Sequence, residues 1–146
     1  MSDEESTYTA PDISLLGDEH VARYEETNGE VGYLWNGATC LVLRTIGRKT
    51  GQQRKFALIF AARDDDFVVV ASKGGAPQHP GWYLNVVAHP DVEVQVKGEV
   101  IPVRARTAEG AERDELWKLV SAQWPNYDEY TKRTDRTIPV VVLERR

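Results

Sequence analysis

The sequence predicts a mainly β protein, a predominantly antiparallel barrel with α-helices packed outside it. Two observations carry this. Runs rich in β-branched and apolar residues recur at Thr39–Ile46, Arg54–Ala61 and Phe67–Ser72, separated by Gly or Asp turns, which is the spacing of consecutive antiparallel strands. Helical patterns occur only at intervals between such runs, too rarely for the parallel βαβ alternative.

The elements follow in chain order. The opening stretch MSDEESTYTAPD is acidic and lacks an apolar core, so residues 1–12 are expected to be a disordered tail and neither a signal nor a transit segment. Residues 13–146 are expected to form a single domain, an ordinary size for one hydrophobic core. Asp18–Asn28 reads as a short helix stopped by Asn28-Gly29, a pair suited to the left-handed position after a helix. The three strands above come next, with Asp64–Asp66 as a turn. Val92–Lys97 and Val100–Arg106 alternate and are joined at Lys97-Gly98 as a hairpin, with Val92, Val94 and Val96 on one face and Glu93, Gln95 and Lys97 on the other. Thr107 is placed to cap a helix running to about Gln123, with Leu116, Trp117, Leu119, Val120 and Trp124 on its buried side and Pro125 ending it. Ile138–Leu143 supplies the last strand.

Charge is unevenly placed. The chain carries a formal net charge of −5, which argues against general nucleic-acid binding. Yet no acidic residue falls between Glu30 and Asp64, where Arg44, Arg48, Lys49, Arg54, Lys55 and Arg63 all lie, nor between Phe67 and Pro90, which holds Lys73. A local cationic face follows, and with it an anion site. The single cysteine, Cys40, sits in an apolar run and reads as an inert buried thiol. His20, His79 and His89 show no metal-ligand spacing, so no metal is expected, and neither Ser72 nor Cys40 has the base and orienter of a hydrolase. The longest apolar runs are far short of the ~20 residues that span a bilayer.

Two glycine-bearing turns concentrate the chemistry. In GRKTG, Gly47 and Gly51 bracket Arg48, Lys49 and Thr50, so that backbone N–H groups can converge on an anion while Arg48, Lys49 and Arg54 add charge. The spacing is not that of a Walker A loop. In SKGGA, Gly74-Gly75 remove two side chains beside Lys73 and admit close approach to the main chain, and HPGWYLN then starts a short helix near Pro80. Trp82 and Tyr83 are read either as site aromatics or as core residues of that helix.

The texts TIGRKTGQQR at Thr45–Arg54, VVASKGGAPQHPGWYLN at Val69–Asn85, PNYDEY at Pro125–Tyr130 and RTIPVVVLE at Arg136–Glu144 together resemble the deazaflavin-dependent nitroreductase family of actinobacteria. The resemblance runs from about Glu30 to the C-terminus. It implies a split β-barrel of the flavin-reductase-like kind and reduced coenzyme F-420, an 8-hydroxy-5-deazaflavin, as hydride donor. It further implies that Arg48, Lys49, Arg54 and Lys73 surround the anionic tail of that coenzyme, that Ser72, Gly74, Gly75 and Ala76 lie along its ring, and that Trp82 and Asn85 flank it from the short helix. Tyr127 and Tyr130 are implied at the acceptor, orienting it or donating a proton. The implied acceptor is a flat conjugated molecule: a quinone, a nitroaromatic or an enone. Trp124 stands where some nitroimidazole-reducing relatives have tyrosine, and Gln53 and Ala57 where proline is common. The expected setting is cytoplasmic, with peripheral membrane contact through a lipid quinone and the first helix as a lid. The alternatives are a non-catalytic carrier of deazaflavin or flavin and, from the basic hairpin, a single-strand nucleic-acid binder.

Overall fold

The computed structural model describes residues 8–146. Of the expected tail, residues 1–7 lie outside the described residues, whereas Thr9 and Asp12 are hydrogen-bonded to the body through Asn126 and Asn36.

Among the described residues eight strands and four α-helices follow in order: α1 Gly17–Thr27, β1 Leu34–Trp35, β2 Ala38–Ile46, β3 Gln53–Ile59, β4 Ala61–Arg63, β5 Asp66–Val70, α2 Gly81–Ala88, β6 Asp91–Val96, β7 Glu99–Thr107, α3 Gly110–Gln123, α4 Asn126–Tyr130 and β8 Val140–Arg145. All pairings are antiparallel. From β2 the sheet continues through β6, β7, β8, β5 and β4, while β3 pairs with β2 on its other side. The two outermost strands, β3 and β4, are separated in the chain by Phe60 alone, whose N–H donates to the Thr39 carbonyl at 3.0 Å. A sheet whose first and last strands are chain neighbours must curl on itself. It does so as a split, flavin-reductase-like barrel, and among the described residues the only ladder β3 makes is with β2.

The core explains the pattern of the strands. Val69, Val141 and Leu143 pack with Leu41, Leu43, Val94 and Val103 inside the curl. Val68, Val70, Val140 and Val142, on the opposite face of the same strands, pack under Leu116, Val120 and Ile138. With both faces buried, β5 and β8 read as continuous apolar runs and not as alternating ones. Tyr24 fixes α1 to the barrel: its hydroxyl donates to the Cys40 carbonyl at 2.9 Å and accepts from the Lys97 N–H at 2.8 Å. As expected, α1 stops at Asn28, which is left-handed at φ 53°.

Several expectations are corrected. The predicted strand Arg54–Ala61 is two strands broken at Phe60. Thr107 does not cap α3: it ends β7, its hydroxyl pairs with the Tyr83 hydroxyl at 2.8 Å, and Glu109 takes the cap position in extended backbone. Leu119 is exposed and Trp117 only half-buried, because the Trp117 indole donates to Asp128 at 2.7 Å at the protein surface. On the face of the hairpin that carries Glu93 and Lys97, Gln95 is buried and accepts from the Arg44 guanidinium at 2.9 Å. Strand β1 and helix α4 were not anticipated.

Candidate functional site

The split in the barrel opens into a cavity of about 310 Å³. One wall is β3, whose Ala57, Leu58 and Ile59 are apolar but only half-buried, since no strand covers that edge. Opposite lie the end of β5, Ser72, and the turn at Lys73-Gly74, with Pro80 and Trp82 from the start of α2. Trp124, Tyr127 and Tyr130 close the far side, and His20, Trp35 and Leu16 the side under α1. We refer to this as the front cavity.

Beside it is a second cavity of about 320 Å³, lined by Gly47, Arg48, Lys49, Thr50, Arg54, Phe56, Gly81 and Asn85. The two share their walls residue by residue. On β3, Phe56 faces this cationic cavity and Ala57 the front one; on α2, Gly81 and Asn85 face it while Pro80 and Trp82 face the front. Lys49 and Lys73 thus sit on adjoining hollows on either side of the start of α2.

Local structure accounts for each loop. The GRKTG turn is closed by the Gly47 N–H donating to the Gln52 carbonyl and the Gly51 N–H donating to the Gly47 carbonyl, both at 2.8 Å. Asn85 then ties it to α2: its Oδ1 accepts from the Arg48 N–H at 3.2 Å and from Arg48 Nη1 at 2.9 Å, and its amide donates to Thr45 Oγ1 at 3.1 Å. The second turn is left-handed at three successive positions, Lys73 (φ 47°), Gly74 (φ 63°) and Gly75 (φ 84°). For lysine that conformation is uncommon and strained, and such strain concentrates at ligand sites. Arg136 holds the turn in place. Its guanidinium donates to the carbonyls of Ala71 (3.2 Å), Ser72 (2.7 Å) and Ala76 (2.8 Å) and to His79 Nδ1 (3.0 Å). His79 must be unprotonated there, and its pKa is pushed below the usual imidazole range by burial and by the Arg136 charge.

The cations divide into two sets. Arg44 pairs with Glu25 and Glu93, Lys55 with Glu25, Arg63 and Arg106 with Glu112. Arg48, Lys49, Arg54 and Lys73 form no ion pair among the described residues, and all four are exposed at the rims of the two cavities. The acid-free stretch of sequence therefore mixes structural cations, paired with acids from elsewhere, and a smaller set without ion pairs, three of which line the cationic cavity and one, Lys73, the front cavity.

Aromatic rings line much of the front cavity. Trp35 and Trp124 rings lie 5.6 Å apart, and Tyr127 and Tyr130 rings 6.1 Å apart. Tyr127 is buried, and burial drives its hydroxyl pKa far above the usual phenol value, so it stays protonated. Cys40, at the edge of the cavity, has its thiol pushed up to about 12 by burial, in keeping with an inert residue.

Against known proteins, residues 16–145 match the family model described as F420H(2)-dependent quinone reductase. The chain belongs to the F420H(2)-dependent quinone reductase family. An F420H(2)-dependent quinone reductase of Mycobacterium tuberculosis (strain ATCC 25618 / H37Rv) is 44% identical over 131 residues, which cover 87% of this chain and 88% of that one. A solved F420-H2 dependent reductase (FDR-A) superposes with a TM-score of 0.68 at 43% identity, covering 72% of this chain and 93% of that chain. A chain solved as a domain-swapped dimer superposes at 0.71 with 38% identity, covering 86% and 92%. A putative pyridoxamine 5'-phosphate oxidase from Listeria innocua, 12% identical with a TM-score of 0.51 over 73% of this chain and 82% of that one, shares the fold alone.

Within this quinone reductase family member, most of the sequence-designated residues converge. Arg48, Lys49, Arg54 and Asn85 line the cationic cavity; Ser72, Lys73, Gly74, Trp82, Tyr127 and Tyr130 line the front cavity. Gly75 and Ala76 do not line either one. Gly75 is buried where a Cβ would stand 2.8 Å from the Tyr130 carbonyl and 2.9 Å from Arg133, and Ala76 serves through its carbonyl, which accepts from Arg136. Sequence reasoning missed Arg136, His20 and Trp35. Arg136 lay inside a quoted motif, but its role depends on a turn about sixty residues earlier in the chain and could not be read from spacing.

Proposed function

We propose that the protein reduces a quinone with a hydride taken from reduced coenzyme F420, the anionic tail resting in the cationic cavity and the quinone enclosed with the reacting ring in the front cavity. The observation that supports this reading is that Arg48, Lys49 and Arg54 line one cavity and Lys73 a second, apolar one whose lining alternates with it along β3 and the start of α2, all four without an ion pair within the described residues. Lack of an acid partner alone would mark only solvated surface charge; it is the placing of these four at two neighbouring cavities that favours an anionic ligand.

The residues fit such a group. Arg48 and Arg54 can grip phosphate or carboxylate oxygens through paired N–H donors, and Lys49 and Lys73 supply point charges. The first N–H groups of α2 have no acceptors within the helix and lie between the two cavities. The half-buried apolar strip Ala57–Ile59 and the bare backbone at Gly74 leave room for a flat ring system. When bound, reduced deazaflavin supplies two electrons as a hydride. The task of the chain is then positioning and exclusion of water. Trp35, Trp124 and Trp82 wall the cavity, and the Tyr127 hydroxyl, kept protonated by burial, and the Tyr130 hydroxyl would donate hydrogen bonds to an acceptor oxygen. The quinone becomes a hydroquinone on receiving the hydride and one proton from solvent. Nitroaromatics and enones, being flat and conjugated, are the further acceptors this shape admits.

Among the described residues no helix is long and apolar enough to cross a membrane. Ile13, Leu16 and Leu34 are nevertheless exposed at 64%, 55% and 65%, and Leu16 borders the front cavity, so the peripheral contact we propose with a bilayer carrying the quinone would use this rim. Anaerobic stopped-flow mixing of the protein with reduced coenzyme and a short-chain quinone tests the central reading. Rapid reoxidation of the coenzyme is expected. Tight binding with no reoxidation would instead mark a carrier, and preference for flavin mononucleotide over F420 in a fluorescence titration would overturn the assignment of the donor.

A further inference from the structure

A third cavity, of about 300 Å³, lies behind the front one and is assigned to nothing above. Its roof is the N-terminal arm at Thr9, Ala10 and Pro11, and its floor the end of α3 and start of α4. Two asparagines lay the arm down by imitating β-ladder rungs. Asn126 accepts from the Thr9 N–H at 2.9 Å and donates to the Thr9 carbonyl at 2.7 Å; Asn36 accepts from the Asp12 N–H at 2.8 Å and donates to the Asp12 carbonyl at 3.0 Å.

The front and rear cavities stand back to back across one side chain, Trp124, which lines both. Neighbouring residues confirm the arrangement: Trp35 faces the front cavity and Asn36 the rear, Tyr127 the front and Asn126 the rear. The Trp124 indole is buried and packed, but the hydrogen bond from its N–H is long. Its N–H reaches the Tyr130 hydroxyl at 3.4 Å, whereas the indoles of Trp35 and Trp117 make bonds of 2.6 and 2.7 Å. No charged side chain lines the rear cavity, and its amides are already engaged, Asn36 and Asn126 with the arm and Gln123 with Thr39 Oγ1 at 2.7 Å. Ala10, Pro11, Pro125 and the Trp124 indole give the rear cavity an apolar side, and with its amides engaged by the protein it disfavours an ion and accepts an uncharged aliphatic chain.

We propose that the rear cavity is a subsite for an aliphatic substituent on the acceptor ring, with Trp124 as the partition the chain must pass and the asparagine-latched arm as its roof. This rests on the quinone reading above. It makes the residues of the arm determinants of acceptor choice although none of them touches the reacting ring.

The test compares two quinones with the same ring, one unsubstituted and one carrying an eight-carbon chain, at saturating reduced coenzyme. The variant Ala10→Trp adds bulk at the rim of the rear cavity, where Ala10 is exposed. The KM for the chain-bearing quinone is expected to rise about tenfold, the effect of excluding roughly two methylenes from an apolar wall, while its kcat and both constants for the unsubstituted quinone stay unchanged. A second variant, Asn126→Ala, releases the roof without adding bulk and is expected to erase the preference for the chain-bearing quinone in the same selective way. Equal effects on both quinones, or none on either in both variants, would overturn the proposal. Wild-type protein that turns over neither quinone would instead overturn the quinone reading itself, so the two failures are distinguishable.

Discussion

Replacing Asn85 by aspartate separates the two tasks of the cationic cavity, holding the GRKTG turn and presenting positive charge. Asn85 is buried and makes three side-chain hydrogen bonds, two accepted from Arg48 and one donated to Thr45. Aspartate keeps both accepted bonds and strengthens the one to the guanidinium. It loses the donated bond, leaving a carboxylate oxygen facing Thr45 Oγ1, whose own proton is committed to the Arg54 carbonyl at 3.0 Å. The stability cost is about 1–3 kcal/mol, more than one ordinary hydrogen bond, because the oxygen left without a donor is a buried carboxylate oxygen. Binding of an anion suffers as well, because the new charge neutralises Arg48. A charge-assisted contact contributes about 1.5–3 kcal/mol, and since Arg48 is exposed the lower end applies, giving about tenfold weaker binding. In Asn85→Ala all three bonds go and stability falls by about 2–3 kcal/mol, yet no negative charge is added, so the loss in affinity is smaller. Fluorescence titration with oxidised F420 and urea unfolding of the two variants measure both quantities. The aspartate effect should shrink between about 50 and 500 mM salt, as screening predicts. An aspartate variant that binds the coenzyme as tightly as wild type at low salt would refute the idea that this cavity holds the anionic tail.

Lys49→Ala is expected to weaken coenzyme binding about tenfold with no change in the urea midpoint, since Lys49 is exposed and makes no ion pair among the described residues. Arg136→Lys should fail to restore what Arg136→Gln loses, because an ammonium cannot serve the carbonyls of Ala71, Ser72 and Ala76 together; both variants are expected to lose about 2–4 kcal/mol in urea unfolding and to raise the KM for coenzyme. His79 titrates below its ordinary value in the folded chain, so between that depressed pKa and about 6.5 the unfolded chain binds more protons and stability rises with pH. Thermal unfolding should accordingly show stability falling as pH drops below about 6.5, and His79→Gln should lessen that fall. Tyr127→Phe is expected to lower turnover at least tenfold with coenzyme affinity unchanged, and because burial keeps the Tyr127 hydroxyl protonated, kcat in the parent protein should be flat between about pH 7 and 10.

The fold was legible where one physical signal dominated. Asn28 ended α1 because a left-handed residue after a helix admits few side chains, and the Val92–Arg106 hairpin followed from its alternation. Reading failed where a tertiary partner decided the outcome. Thr107 has the chemistry of a helix cap but is claimed by the Tyr83 hydroxyl, and Gln95 is drawn inward by Arg44, a contact 51 residues away in sequence. In the site, the free cations and the bare Gly74 were visible as composition. Gly75, which looked equivalent, was not, since only packing reveals that its missing side chain makes room for the Tyr130 carbonyl and Arg133 and not for a ligand.

Why an acidic chain should suit a polyanion follows from where its acids are spent. Glu25 neutralises Lys55 at 2.9 Å and shares Arg44 with Glu93, and Glu112 neutralises Arg63 and Arg106 at 2.9 and 2.6 Å, which draws its own pKa down to about 2. These pairs anchor α1 and α3 to the barrel. They also remove carboxylates that would otherwise oppose an incoming anion. The remaining acids act through solvent, and their field fades within about 8–10 Å at ordinary ionic strength. Close to the groove, Arg48, Lys49, Arg54 and Lys73 therefore outweigh the net charge of −5. Strand β3 borders both cavities, Phe56 in the cationic one and Ala57–Ile59 in the front one, so the edge left without an outer partner is also where the two cavities meet the sheet.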